Sequence, residues 1–317
     1  MPPAATAFDG LNRPSADVAA RDHADHLGCL WPPSPAWSIL DSVTADLTVQ
    51  TTVVVPVWDE YVPERLAEAL TSLREQDLNT SIIVVDNASE EPLPEFVGVS
   101  VVRSPRRLTL GAARNLGLAQ VDTAYVVAWD ADDLMLPGTL SLLEEAIGSD
   151  PRLAAFATGI VEHPSGRRHR WPRRWVGAAV RAGPAFALLD SVWSLYPTTG
   201  AAIVRTELAR AAGGFGDSDS GEDWCLGVSL AFRGRIGWSE VPGRVYRLHD
   251  RSMRVRHLSI RNQHQNARNV RGRIRADAGI PGWARRMLPL IALGQYGALA
   301  GHVTLRSVRA IRRRSRS

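Results

Sequence analysis

Carboxylates cluster where short apolar runs end: Asp59-Glu60 after 51–57, Asp86 after 82–85, and Asp130, Asp132 and Asp133 after 124–129. Apolar, β-branched runs of this length read as buried strands. In an open parallel sheet, ligands bind at the carboxyl ends of the strands, so these acids would face one crevice. No glycine-rich phosphate loop stands there: the first run continues Val55-Pro56-Val57-Trp58-Asp59, without G-x-G-x-x-G. Acids repel a phosphate directly, but carboxylate oxygens suit Mg2+ or Mn2+, and such a cation bridges them to a diphosphate. The Asp130-Ala131-Asp132 triplet also fits a turn or a helix N-cap, with Asp133 ahead of Pro137.

Other groups could complete such a site. Asp86 could accept bonds from ribose hydroxyls or a base N–H, or could close an Asx-turn with Asn87 and Ser89. Arg114, early in a helical stretch, can fork onto phosphate or base oxygens, or form a surface salt bridge. Glu222-Asp223 follow a Gly/Ser/Asp stretch and open an apolar helix. A carboxylate in a first helical turn is stabilised as the anion and could take a proton from a hydroxyl; a plain preference of helix starts for acids explains the pair as well. His249, after an extended run, offers a neutral imidazole to a metal or serves structure.

The elements that must position these groups alternate in type. Leu66, Leu70 and Leu73 recur at helical spacing over 63–76, with Pro63 suited to the first turn. Further helices are predicted over 111–120 and 137–147, and a further strand over 99–102. Strands alternating with helices imply a parallel α/β sheet. In the second half, 153–161 and 200–204 read as strands, 222–232 as a helix, 241–249 as extended chain and 260–278 as a polar, Arg-rich helix. The basic segment 163–175 reads as a loop or hairpin.

Bulk composition bounds what these elements can serve. The chain has 317 residues, 45% hydrophobic and 22% charged, enough for a sizeable core in a globular enzyme. It contains no Lys: all 37 cationic residues are Arg. That excludes a pyridoxal Schiff base and a Walker-type phosphate lysine. The formal charge of +4 hides an asymmetry, because residues 251–317 hold 16 Arg and one acid, Asp277. Such a segment seeks anionic partners. Cys29 and Cys225 form no C-x-x-C, and two free thiols in a reducing compartment are expected. The start of the chain shows no charged-then-apolar signal pattern. The expected location is cytoplasmic, peripheral at the inner face of the cell membrane.

Five segments in order resemble glycosyltransferase family 2, the inverting nucleotide-sugar transferases of GT-A fold. Residues 54–60 (VVPVWDE) look like its opening strand and 84–89 (VVDNAS) like its second. Residues 111–117 (GAARNLG) are similar to its G-x-x-x-R-N-x-G helix, and 128–133 (AWDADD) to its D-x-D-D. Residues 213–223 (GGFGDSDSGED), followed by Tyr246-Arg247-Leu248-His249, resemble its closing G-G-F…E-D…Y-R-x-H pattern. Together they cover about residues 50–255. The resemblance implies an α/β fold: a GT-A Rossmann-like, mainly parallel sheet flanked by helices, with a C-terminal helical basic tail. It divides the chain into an extension (1–48), a catalytic domain (49–255, with a nucleotide-binding half at 49–133 and an acceptor half at 134–255), and an Arg-rich tail (256–317).

Roles are implied position by position. Pro56, Trp58 and Glu60 would line the nucleoside pocket, with Trp58 against the base. Asp86 would meet base or ribose, Arg114 the nucleotide, and Asp130 the ribose or metal shell. Asp132 would ligate Mn2+ or Mg2+, and His249 would complete its shell. Asp223 would be the catalytic base. The partners implied are a nucleotide-sugar donor, most simply UDP-linked, and a glycan, lipid-linked or small-molecule acceptor, in cell-envelope polysaccharide or glycolipid synthesis. Where the family usually has an aromatic followed by Asn, this chain has Trp58-Asp59.

Weaker signals stand beside these. His23, His26 and Cys29 have H-x-x-H-x-x-C spacing without an evident fourth ligand. Residues 167–175 combine five Arg with two Trp, a pattern for an anionic acceptor, a membrane surface or a solvated loop. Trp193 and Trp224 could stack on sugars or pack in the core. The mainly apolar stretch 287–305 is expected to pack on the domain or lie in a membrane interface rather than span it, with the Arg tail on anionic lipid. A nucleotidyltransferase could use the same nucleotide–metal logic but would want a basic glycine-rich loop. A nucleic-acid-binding protein would explain the Arg tail but not the strand-end acids, and no nucleic-acid partner is expected.

Overall fold

A computed structural model of the chain describes residues 50–59, 64–169, 183–248 and 259–314. The 1–48 extension with His23, His26 and Cys29, the Trp171–Trp175 portion of the basic segment, and two expected site residues, Glu60 and His249, lie outside the described residues.

The first half of the described chain is a parallel sheet built on β1 (Thr51–Val57), whose seven residues are all buried. A strand covered on both faces needs a continuous apolar run rather than alternation. β1 pairs in parallel with β2 (Ser81–Asp86) on one side and β4 (Tyr125–Ala128) on the other, and β2 pairs with β3 (Ser100–Arg103). The strand order therefore reverses at β1, which opens a crevice at the carboxyl ends of β1 and β4. Loop hydrogen bonds fix those ends: Asn87 N donates to Val57 O at 2.9 Å, and Trp129 N to Val54 O at 2.8 Å.

Helices cover both faces. On one, α1 (Glu64–Arg74) buries Leu66, Leu70 and Leu73, and α3 (Thr139–Ser149) buries Leu140, Leu143 and Ile147. On the other lie α2 (Leu110–Gln120), capped by Thr109, with α4 (Pro184–Val192), α5 (Thr206–Ala211) and α6 (Glu222–Arg233).

The second half continues the same sheet with mixed direction. β8 (Ala202–Arg205) runs antiparallel to β4 and to β6 (Leu153–His163). β9 (Arg235–Arg247) lies parallel to β6, with register shifts along the pair, and β5 (Leu134–Met135) runs antiparallel to β9. The short β7 (Arg168–His169) folds back on β6 as a hairpin, one of the two forms expected for this basic segment. β5, α4 and the first half of β9 have no counterpart in the sequence reading. β5 is two residues long, and β9 begins Arg-Ile-Gly-Trp-Ser-Glu, where alternation is too weak to mark a strand.

The Arg-rich C-terminal segment is packed structure. α7 (Ile260–Ala276), α8 (Gly282–Arg286) and α9 (Leu288–Arg314) close a third core in which Trp224, Cys225 and Val228 of α6 meet Val270, Ile274 and Ile291. The helix expected over 260–278 is α7; α9 runs through the apolar stretch and on into what reads as a basic tail. No described helix is long and apolar enough to cross a membrane.

Candidate active site

The acidic triplet follows β4 and is anchored by Trp129, which is fully buried and donates from Nε1 to Asp133 O at 3.2 Å. Asp133 N donates to Asp130 O at 3.2 Å, so the triplet is a turn. The N-cap of α3 is Gly138, five residues beyond Asp133. Asp130 is half-buried, Asp132 buried and Asp133 fully buried. Three carboxylates so close together require cations, and three arginines from two elements, β9 and α2, supply them.

Arg244, on β9, is the principal one. Its Nε donates to Asp133 Oδ2 at 2.5 Å, its Nη2 donates to Asp130 Oδ2, and its Nη1 donates to Thr199 O at 3.3 Å. The guanidinium also lies 5.1 Å from the Tyr246 ring and 5.9 Å from the Trp129 ring. Gly200 makes room for it: its φ is +67°, and a Cβ there would sit 1.7 Å from Arg244 Nη1. Arg247 donates from its main-chain N to Asp133 Oδ1 at 2.8 Å and from Nε to Asp132 O.

Arg114, on α2, is buried and bridges two acids. Its Nη2 donates to Asp130 Oδ1 at 2.5 Å and its Nη1 to Glu222 Oε1. This side chain spans the crevice from the β4 end to the start of α6. Asn115, its neighbour, clamps the loop before α6: Nδ2 donates to Phe215 O at 3.0 Å and Oδ1 accepts from Phe215 N at 2.8 Å. Gly111 completes the helix's contribution by close approach, since a Cβ there would stand 1.7 Å from Gly216 O. Gly111→Ala is therefore expected to push α2 from the Gly216–Glu222 loop. The cost is about 1–3 kcal/mol, read as a lowered denaturation midpoint with unchanged slope; an unchanged midpoint would mean that the loop yields freely.

Asp223 stands in the first turn of α6, partly exposed beside buried Glu222. Its Oδ1 accepts from Trp224 N at 2.8 Å, and its carbonyl accepts from Thr198 Oγ1 at 2.7 Å. Burial pushes the Asp223 carboxyl above the ordinary range, Arg114 pulls against this, and Asp130 adds to the rise. At Asp130 burial also pushes upward, but Arg244 and Arg114 outweigh it and hold that group below the ordinary range. Burial and the charge of Asp130 push Asp132 up to about 6.

A hard divalent cation fits Asp132 chemically: an oxygen donor crowded by a like charge is relieved by a cation. Among the described residues, no group of three or more His, Cys, Asp or Glu is arranged to hold an ion.

The carboxyl ends of β1 and β2 are more closed. Asp86 is buried and accepts from Arg103 Nη1 at 2.6 Å and from Ser89 N at 3.0 Å, so the Asx-type turn forms with an ion pair added. Trp58 has the Arg107 guanidinium 4.2 Å above its ring. Pro56 is buried within β1, paired with Val85. Asp59 Oδ1 accepts from Glu90 N at 2.9 Å, which ties the ends of β1 and β2 together.

The structure thus gathers Asp130, Asp132, Arg114 and Asp223 around one crevice and sets Trp58 and Asp86 at the neighbouring strand ends. Sequence reasoning missed Arg244, Glu222 as partner of Arg114, Asn115, and Asp190 of α4. Asp190 is buried, with its Oδ1 accepting from Leu195 N at 2.7 Å and its carbonyl accepting from Trp224 Nε1 at 2.6 Å. The available signal for Arg244 was an arginine inside an apolar extended run, which needs a carboxylate once buried.

Residues 52–211 match the family model described as Glycosyl transferase family 2. The pre-mycofactocin glycosyltransferase of Mycobacterium tuberculosis is 32% identical over 195 residues, covering 57% of this chain and 38% of that protein. The amylovoran biosynthesis glycosyltransferase AmsE of Erwinia amylovora is 25% identical over 130 residues, covering 38% of this chain and 49% of that protein. The chain thus spans less than half the length of these curated relatives. Among solved structures, residues 1–349 of TarS from S. aureus in complex with UDP-GlcNAc match with a TM-score of 0.60 at 15% identity, over 79% of this chain and 73% of that one. The mannosyltransferase PcManGT from Pyrobaculum calidifontis, in complex with GDP-Man and Mn2+, matches with a TM-score of 0.54 at 21% identity, over 91% and 86%. At these identities the likeness is one of fold.

Proposed function

The chain belongs to glycosyltransferase family 2, and on that footing we propose that it moves a sugar from a nucleoside-diphosphate sugar, UDP-linked, to an acceptor hydroxyl in one inverting displacement. The observation that carries this reading is Arg114, which holds Asp130 and Glu222 at once and so fixes the donor-side acid against the start of α6. Trp58, Glu60 and Asp86 would take the nucleoside, with Pro56 shaping the strand beneath. Asp130, kept anionic by its two arginines, would accept from the ribose. Asp132 and His249 would hold Mn2+ or Mg2+, which when bound neutralises the departing diphosphate.

Asp223 takes the proton of the acceptor hydroxyl as its oxygen bonds to the anomeric carbon. The bond from that carbon to the diphosphate oxygen breaks on the opposite face, and the nucleoside diphosphate leaves. A carboxyl held above its ordinary range is better matched to this task at neutral pH than a free aspartate. The acceptor is a glycan, a lipid-linked sugar or a small molecule. An anionic membrane surface is the partner proposed for the Arg-rich C-terminal segment.

A panel of UDP- and GDP-sugars, assayed for Mn2+-dependent release of nucleoside diphosphate, tests the reading. Release of pyrophosphate instead would move the attack to phosphorus. Asp132→Ala is expected to abolish release or raise the metal concentration required at least tenfold; a wild-type protein active without divalent cations would remove Asp132 from that role.

A further inference from the structure

α9 turns two unlike sides inward and outward. Ile291 and Gln295 are buried, Gln295 Nε2 donates to Ser191 O at 2.8 Å, and Gly294 abuts Val192 of α4. The opposite side carries Leu290, Leu293, Gly297 and Ala300, all exposed, with Leu290 58% and Leu293 68% accessible. These positions recur at three- and four-residue spacing, so they form one stripe. Between Arg286 and Arg306 the sequence has no Asp, Glu or Arg. Beyond the stripe the helix backbone runs on through Arg306, Arg309, Arg312, Arg313 and Arg314, and Arg285-Arg286 precede it. Large apolar side chains left exposed in this way mark a contact surface.

Charge decides what covers it. Arginines stand at both ends of the stripe, so a second copy laid along it, parallel or antiparallel, would set arginine against arginine. A phosphate-rich surface meets both ends at once. The inner side of α9 is occupied by α4 and α7, so the helix can lie along a bilayer surface and cannot be surrounded by lipid. We propose that the Leu290–Leu293 stripe of α9 docks on an anionic lipid bilayer, the leucines entering the boundary between headgroups and acyl chains, with exposed Arg286 beside the stripe and the net positive charge of the 306–316 segment drawing it to lipid phosphates. This rests on the membrane partner proposed above and assigns it a surface. It also bears on the acceptor: α9 bonds to Ser191, the neighbouring Asp190 accepts from Trp224, and Trp224 adjoins Asp223.

The full chain, mixed with vesicles of phosphatidylcholine alone or with phosphatidylglycerol added, tests this by co-sedimentation. The wild type is expected to sediment with the anionic vesicles and stay in solution with the neutral ones. Leu293→Ser should weaken partitioning roughly tenfold, and Leu290→Glu with Leu293→Glu roughly a hundredfold. Both should leave the thermal midpoint and donor-dependent diphosphate release unchanged. If both variants bind anionic vesicles as the wild type does, the stripe is not the docking surface although the membrane partner stands. If the wild type ignores anionic vesicles, stripe and partner both fall. A wild-type dimer that the double variant turns into a monomer, without vesicle binding, would give the stripe to a second copy. None of these results depends on the transfer chemistry, which diphosphate release reads separately.

Discussion

Asp223→Asn is expected to lower kcat by roughly 100- to 10,000-fold, the range supplied by a positioned general base, while binding of nucleoside diphosphate with Mn2+ changes little. The amide matches the carboxylate in shape and keeps an oxygen to accept from Trp224 N, and the bond from Thr198 goes to the main chain. Folding therefore loses little. What is lost is the capacity to take a proton. Titration calorimetry of the nucleotide with both proteins, beside single-turnover transfer, separates the two effects. Transfer at the wild-type rate in the variant would dismiss Asp223 as the base.

The same residue sets the pH dependence of the reaction. Burial, opposed by Arg114 and aided by Asp130, raises the Asp223 carboxyl above its ordinary value. The proton-accepting form is the anion, so activity is lost as pH falls through that raised value. The acid limb of kcat is then expected above the ordinary aspartate range of about 3.9. A limb at or below that range would show that the bound acceptor restores the ordinary environment of the carboxyl.

Sequence patterns go far in the parallel half and less far beyond it. β1, β2 and β4 stand within a residue or so of their expected places because a strand covered on both faces must be continuously apolar. Asp130, Asp132 and Asp223 could be singled out as candidates because strand ends and helix starts are legible locally, although turns and helix starts favour acids on structural grounds as well. β9 was half hidden, since a long strand with bulges breaks its own alternation. Arg244 was hidden with it, because its purpose depends on a register between β9 and β5 that no local pattern encodes. Arg114 reads as a ligand-binding fork or a surface salt bridge; in the structure it is buried, with its donors turned to Asp130 and to Glu222, the second of them 108 positions away. Contacts of that separation follow from the fold as a whole.

Arg244 is also where the largest loss of stability is expected. Asp133 is fully buried, and Arg244 supplies its only described side-chain cation while also holding Asp130. Arg244→Leu keeps apolar volume between Trp129 and Tyr246 but leaves Asp133, among the described residues, with the Arg247 main-chain N–H as its hydrogen-bond donor. Removing one partner of a buried pair costs about 3–5 kcal/mol, a fall of roughly 6–20 °C in thermal midpoint for a domain of this size. Asp133→Asn in the same background removes the stranded charge and should recover a large part of that loss, so the double-mutant cycle should show strong coupling. The pH dependence has a definite sign. Burial pushes Asp133 up to about 7 against the pull of Arg244, and without Arg244 it is opposed chiefly by the hydrogen bond from Arg247 N. A carboxyl whose folded value lies above its unfolded one gives stability that is present at low pH and lost as pH rises through the folded value. The Arg244→Leu protein should accordingly lie closest to the wild type near pH 5 and furthest from it near pH 8. A penalty independent of pH would mean that lost packing around Trp129 and Tyr246, rather than a stranded carboxylate, destabilises the variant.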